Sequence, residues 1–185
     1  KDASETEKAV KEVNAGMYCF QASFFRENVD RLNNDNAQGE YYITDLISMA
    51  VESGAGAGAF TVGDADEIMG VNNRVQLAEA AGIMRSRIAR RHMMDGVTIL
   101  DPESVYIEED VKIGSDTEIW PGAVLRGKTE IGRSCVIGKD TVIEDSTVGD
   151  GCDIMKSVIR SSRLGAGTTV GPFAYLRPGS DVGEN

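Results

Sequence analysis

The string Gly122-Ala123-Val124-Leu125-Arg126-Gly127-Lys128-Thr129 matches G-x-x-x-x-G-K-T, the spacing with which a loop folds its backbone N–H groups around nucleotide phosphates. For that chemistry a helix must start directly after it, because the helix N-terminus holds part of the phosphate charge. A second glycine run, Gly54-Ala55-Gly56-Ala57-Gly58, follows a helix pattern rather than a strand and reads as a loop, not as a dinucleotide fingerprint. Acid–base chemistry near neutral pH has a single histidine to draw on, His92. It closes a basic run, Arg85, Arg87, Arg90 and Arg91, which suits the negative pole of a helix. Such a run could meet phosphate or nucleic acid, but the formal net charge is −11 and no aromatic residues are interleaved. A solvated helix face is the better reading, and no nucleic-acid partner is expected. The three cysteines, Cys19, Cys135 and Cys152, form no C-x-x-C pair, so neither a zinc site nor a disulfide framework is expected and a reducing cytoplasm fits.

These residues need elements to hold them, and the 185-residue chain, with an apolar fraction of 41%, can build one full domain or two small ones. No apolar run approaches the roughly 18–20 residues of a membrane-spanning helix, and no membrane partner is expected. The opening Lys1-Asp2-Ala3-Ser4-Glu5-Thr6-Glu7-Lys8 lacks an initiator Met and a hydrophobic export core and reads as an internal start. Val13 to Phe20 and Phe60 to Val62 predict strands, while Phe24, Phe25, Val29 and Leu32 recur at helical spacing. A second helix is predicted after Thr44, with Leu46, Ile47, Ala50 and Val51 as its apolar stripe and Gly54 to end it. A long helix is predicted from Val75 to Met94, facing inward with Leu77, Ala81, Met84 and Ile88, and capped by Asn72 or Asn73. All four prolines fall after Gly96.

Beyond Asp101-Pro102 a six-residue period takes over. Aliphatic anchors recur at Ile107, Ile113, Ile119, Leu125, Ile131, Ile137, Ile143, Val148, Ile154, Ile159, Leu164, Val170, Leu176 and Val182, with three steps shortened to five. The fourth residue after the anchor is small in twelve of thirteen cases, Arg163 being the exception, and the residue just after it is glycine in seven of fourteen. Six residues cannot bury their own anchor, so the pattern predicts a parallel β-helix in which three faces make one triangular coil and coils stack. The glycines are expected at tight corners, and Arg163 where a shortened corner lets its side chain escape to solvent. In this register Leu125 and Ile131 are anchors and Thr129 a corner residue, so no helix can follow Thr129 and the phosphate-loop reading fails.

Several strings then become specific. Glu12-Val13-Asn14-Ala15-Gly16, Asn36-Ala37-Gln38-Gly39-Glu40-Tyr41-Tyr42-Ile43-Thr44-Asp45, Gly70-Val71-Asn72-Asn73-Arg74 and Gly171-Pro172-Phe173-Ala174-Tyr175-Leu176-Arg177-Pro178-Gly179 closely resemble the bacterial bifunctional enzymes of UDP-N-acetylglucosamine synthesis. Those enzymes join an N-acetylglucosamine-1-phosphate uridyltransferase to a glucosamine-1-phosphate N-acetyltransferase for cell-wall precursor supply. The resemblance implies an α/β plus all-β chain. Residues 1–73 would be the C-terminal part of a Rossmann-like nucleotidyltransferase domain, 74–96 a connector helix, and 97–185 the start of a left-handed parallel β-helix acetyltransferase domain. It implies that Asn14 contacts UDP-N-acetylglucosamine, that Asn72 ligates Mg²⁺ and touches the nucleotide sugar, and that Arg177 binds the sugar phosphate in the acetyltransferase site. UTP, N-acetylglucosamine-1-phosphate, glucosamine-1-phosphate and acetyl-CoA are the implied small-molecule partners, and a homotrimer built through the β-helix the implied assembly. Asn14 and Asn72 could equally be turn or cap residues and Arg177 a surface arginine; Tyr41 and Tyr42 could lie near the sugar or in a core.

The family's Gly-rich phosphate loop, its Mg²⁺-binding Asp and its catalytic histidine downstream of the Leu-Arg-Pro-Gly string do not occur in these residues. His92, at the basic end of the helix, is no substitute. No catalytic residue is therefore assigned, and the chain by itself is expected to be inactive. The rival readings are another sugar-1-phosphate nucleotidyltransferase with a β-helix tail, against which the Gln38-Gly39-Glu40-Tyr41-Tyr42 string argues, and a non-catalytic trimerising scaffold.

Overall fold

The structure is a computed structural model that describes residues 9–10 and 12–184; the opening octapeptide lies outside them. The chain divides into two compact units, Lys1–Gly70 and Val71–Asn185.

The first unit holds two short helices, α1 (Ala22–Asn28) and α2 (Asp45–Glu52), and two 3-10 turns at Val29–Arg31 and Ala65–Ile68. Leu46 and Ala50 of α2 are buried. The helix stops at Gly54, whose φ of +73° turns the chain left-handed. Gly54 N then donates to Val51 O (3.1 Å) and Ala55 N to Ala50 O (3.0 Å), so the last carbonyls are satisfied. The strands predicted over 13–20 and 60–62 do not form: Val13 is 75% exposed and Phe60 91%. Among the described residues this unit has no strand at all, and an extended segment without a neighbour leaves its ladder groups unmet. The Rossmann-like α/β architecture expected for residues 1–73 is thus not present as a fold.

The second unit begins with α3 (Arg74–Met94). Asn73 is its cap, its Oδ1 accepting from Gln76 N at 2.9 Å, while Gln76 Oε1 accepts from Asn72 N at 2.7 Å. Within this unit the helix buries Ile88, Ala89 and His92, whereas Leu77 and Met84 of the predicted face stay exposed. Its C-terminal half covers the first coil of the fifteen short strands that follow, β1 (Thr98–Ile99) to β15 (Asp181–Val182). They form three five-stranded parallel sheets ordered β1-β4-β7-β10-β13, β2-β5-β8-β11-β14 and β3-β6-β9-β12-β15. Each strand therefore pairs with the strand three along, which is a three-sided parallel β-helix of five coils.

Every predicted anchor lies in a strand, and Ile119, Leu125, Ile137, Ile143, Ile154 and Ile159 are completely buried. The series starts one face earlier than the sequence period shows, at Ile99, because Asp101 to Ser104 makes an extra turn closed by Ser104 N to Asp101 O at 3.2 Å. In the shortened steps the buried corner residues are Ser146, Ser157 and Ser162, not Thr147, Val158 and Arg163. The interior corner thus keeps its distance from the following anchor, and the residue is lost just past the preceding one. Arg163 is exposed, as its shortened corner requires.

The glycines after anchors answer to crowding more than to turning. Gly114, Gly132, Gly149, Gly165 and Gly183 follow the anchors of one sheet, and none of them has positive φ. A Cβ on Gly149 would sit 2.6 Å from Ala166 N and 2.9 Å from Gly165 C, both on the next coil. At Gly183 nothing lies within 4 Å. The pair makes a controlled test: Gly149→Ala should cost about 1–3 kcal/mol of stability in urea unfolding, and Gly183→Ala less than about 0.5 kcal/mol. Equal costs would mean that coil contact does not select glycine here.

Candidate functional site

In the first unit Asn14 begins a tight turn, its Oδ1 accepting from Gly16 N at 2.9 Å and its Nδ2 donating to the Tyr18 hydroxyl. The turn reading of this asparagine is therefore correct as far as it goes. The same residue also lines an open cleft of about 580 Å³ together with Tyr18, Tyr41, Tyr42, Ile43 and Thr44. The Asn36-to-Asp45 string is shaped for this by Asn36. Its Oδ1 accepts from Gln38 N (3.1 Å) and Glu40 N (3.2 Å), and its Nδ2 donates to Glu40 O at 2.5 Å. Tyr42 is held from behind by its hydroxyl donating to Gln38 Oε1 at 2.5 Å, while Tyr41 is 67% exposed. Tyr41 and Tyr42, left open between core and site by sequence, thus share a cleft with Asn14: two aromatic rings and an amide, a surface suited to stacking on a ring and bonding a neutral polar group.

Asn72 is exposed at the entry to α3. Because Asn73 does the capping, the cap reading of Asn72 falls away. Its carbonyl oxygen is a fit hard donor for Mg²⁺, but that ion also needs carboxylates, and among the described residues no group of three or more His, Cys, Asp or Glu side chains could hold a metal. The residues present do not by themselves make a Mg²⁺ site.

Arg177 follows anchor Leu176 of β14 (Tyr175–Leu176) and is exposed. It extends an outward register line, Arg126, Glu144 and Arg160. Along that line Arg126 lies 5.3 Å from the Tyr106 ring centroid and Arg160 Nε is 3.3 Å from Glu144 Oε2. Among the described residues the Arg177 guanidinium has no such partner. Its backbone is pinned, with its carbonyl accepting from Ser180 Oγ at 2.7 Å and Ser162 Oγ at 2.9 Å. Nearby in sequence, Lys156 Nζ stands 5.3 Å from the ring centroid of Phe173, a residue 78% exposed. A fixed backbone presenting a free, planar, cationic fork of N–H donors is what a phosphate ester or carboxylate requires. Asn72, before α3, and Arg177, in the last coil of the stack, do not form a common site.

Neither buried thiol is a nucleophile: burial pushes Cys135 and Cys152 up, away from the thiolate form. Gly122 to Thr129 contains β5 (Val124–Arg126) and no helix, and Thr129 is fully buried with its hydroxyl donating to Arg126 O at 2.6 Å. No helix among the described residues is long and apolar enough to cross a membrane.

No protein-family model matches the chain. Among solved structures, a mutant perosamine N-acetyltransferase from Caulobacter crescentus in complex with CoA and GDP-perosamine is 18% identical, covers 56% of this chain and 51% of its own, and has a TM-score of 0.45. A hexapeptide transferase family protein from Anaplasma phagocytophilum is 21% identical over 48% of this chain and 70% of its own, with a TM-score of 0.31. Similarity among curated proteins is far higher. The bifunctional protein GlmU of Alkaliphilus oremlandii is 50% identical over all of this chain and 41% of its own length, and that of Clostridioides difficile 51% identical over all of this chain and 40% of its own. The chain spans about two fifths of the length of these relatives and, along the whole of its 185 residues, belongs to their family, that of the bifunctional GlmU proteins.

Proposed function

We propose that these residues are part of a cytoplasmic bifunctional transferase of UDP-N-acetylglucosamine synthesis. The β-helix, left-handed by its resemblance to that family, takes part in acetyl transfer from acetyl-CoA to glucosamine-1-phosphate. By the same resemblance, Asn14 and Asn72 each take part in coupling N-acetylglucosamine-1-phosphate to UTP with release of pyrophosphate. The observation that carries this reading is the end-to-end likeness to GlmU proteins on a β-helix that holds Arg177 outward and unpaired.

In acetyl transfer the sugar amine attacks the thioester carbonyl, a C–N bond forms, the C–S bond breaks, and the amine must give up a proton. Arg177 grips the phosphate and so fixes the amine's position. The one histidine is buried in the last turn of α3, on the first coil, and is not at that corner. On this reading the 185 residues contribute binding and positioning to acetyl transfer. In the other half, the Asn14 amide and the Tyr41 and Tyr42 rings supply a surface for a sugar or a base. Asn72 offers a free amide, and its Mg²⁺ role is the one that the resemblance implies.

The homotrimer is supported by one face of the prism. The outward residues that precede the anchors form three columns. On two sheets they are polar or mixed: Thr98, Glu118, Val136, Asp153 and Thr169, and Lys112, Glu130, Thr147, Arg163 and Asp181. On the third they are Tyr106, Val124, Val142, Val158 and Tyr175, without a charge. An apolar ladder repeating at every coil is matched by a partner with the same repeat, which another copy of this chain has.

Two experiments on the full-length protein test this. Arg177→Ala should raise the KM for glucosamine-1-phosphate in acetyl transfer by about 10–100-fold, the worth of a charge-assisted fork, and leave uridyl transfer unchanged; Asn72→Ala should do the reverse. Equal loss of both activities in either variant would mark it as a folding residue. Val142→Glu should convert a trimer to monomers in sedimentation while Thr147→Glu on another face leaves it whole, and a Val142→Glu trimer would remove this face from the interface.

A further inference from the structure

His92 is the single histidine of the chain and is 5% exposed in the last turn of α3. Its Nε2 is sealed from solvent and has no hydrogen-bond partner. A neutral imidazole tolerates that position, because an unused ring nitrogen costs less than an unpaired charge. A protonated one would place an N–H⁺ where no acceptor waits and no water reaches.

None of the charged groups around the ring is hydrogen-bonded to its Nε2. On its own helix are Arg91 and Asp95; from the corner between β2 (Tyr106–Ile107) and β3 (Lys112–Ile113) come Glu109, Asp110 and Lys112, all lining one cleft with it. Glu109 is committed to Arg91, with Nη1 to Oε1 at 2.5 Å and Nη2 to the Glu109 carbonyl at 3.2 Å. Lys112 is committed to Glu130 at 2.7 Å. Burial, then the Arg91 guanidinium, hold the imidazole below its usual range, against the opposite pull of Asp95 and Glu109. Lifted off the coils, by contrast, the same turn would place a protonated ring in water beside the helix's terminal carbonyls, which favour a cation. The neutral ring suits the docked turn and the charged ring the released one.

We propose that the C-terminal turn of α3 is a pH-dependent latch, docked on the first coil of the β-helix while His92 is neutral and released when it is protonated. α3 opens the second unit, so the latch governs whether this helix is anchored at its C-terminal end. Docking lowers the ring's proton affinity. The latch is therefore fully closed above about pH 6.5, the ordinary imidazole value, and weakens as pH falls below it.

Native-state hydrogen exchange of the 185-residue chain between pH 5 and 7.5 tests this. The amides to follow are Asp95, Gly96 and Val97, which donate to Arg91, Met93 and His92 carbonyls at 3.0–3.2 Å. After correction for the intrinsic rate, their protection should be flat above pH 7 and fall by up to tenfold per pH unit below 6.5, the limit for one proton, while Gly138, bonded to Ile154 O in mid-stack at 2.7 Å, holds its protection. His92→Leu should abolish the fall. Should that variant not fold, the wild-type imidazole resonance, unique in the spectrum, decides alone by titrating with a midpoint below 6.5. Flat protection at the three amides, an equal fall at Gly138, or an imidazole midpoint at or above 6.5 would overturn the latch.

Discussion

A face of six residues has one buried anchor, one enclosed small corner residue and a strand of two or three residues, too little to hold itself together, so every coil of this β-helix depends on its neighbouring coil. The dependence is visible in the hydrogen bonds. Tyr106 N reaches Ala123 O at 2.9 Å, Lys112 N reaches Thr129 O at 3.0 Å, and Glu118 N reaches Cys135 O at 2.8 Å, each bond passing one turn onward. The apolar and polar contacts follow the same route, since anchors stack on anchors and Thr117 Oγ1 accepts from Cys135 N of the next coil at 3.1 Å. Stability is then a sum of neighbour terms, and the ends need separate treatment. α3 supplies it at the first coil by covering it with Ile88, Ala89 and His92, which is why a change in the state of one buried ring is felt at the root of the stack.

The same constraint explains how much could be read beforehand. A period of six is a property of each coil and is written into the residues, so the anchors, the outward Arg163 and the failure of the phosphate loop were all legible. Ile99 was not, because the turn at 101–104 breaks the count before the repeat is established. The shortened corners were misassigned for a related reason: counting forward from an anchor and backward from the next give different residues when a step loses one, and only the interior space shows that Ser146, Ser157 and Ser162 are the ones enclosed. Gly171, at φ +111°, turns as expected, but the glycines of the β3-β6-β9-β12-β15 sheet were recognised for the wrong cause. A Cβ at Gly149 collides with the coil above, a contact that no single-chain turn rule contains.

In the first unit the strands inferred at 13–20 and 60–62 had correct composition and no partner. Periodicity reports what a segment could bury, not whether a neighbour exists to receive its backbone bonds. The site residues divide similarly. Residue type could not show that Asn73 rather than Asn72 caps α3, nor that Tyr41 and Tyr42 line the same cleft as Asn14. At Arg177 the register was enough, because the residue after an anchor is turned out by the geometry of the strand. What singles it out is the contrast with Arg126 and Arg160 on the same line, which are engaged by Tyr106 and Glu144.

The account rests on a coil interior that closes around its corner residues, and the cysteines report on it directly. Cys135 and Cys152 occupy the same corner of two successive coils, each 1% exposed, with their thiols donating to the carbonyls of Gly149 (3.2 Å) and Gly165 (3.1 Å), while Cys19 is exposed in the first unit. Titration of the native chain with a water-soluble thiol reagent should find one thiol reacting at once and two more only after denaturation. Three thiols reacting at the same rate in the native protein would mean that the corners are open and the stacked three-sided coil is wrong.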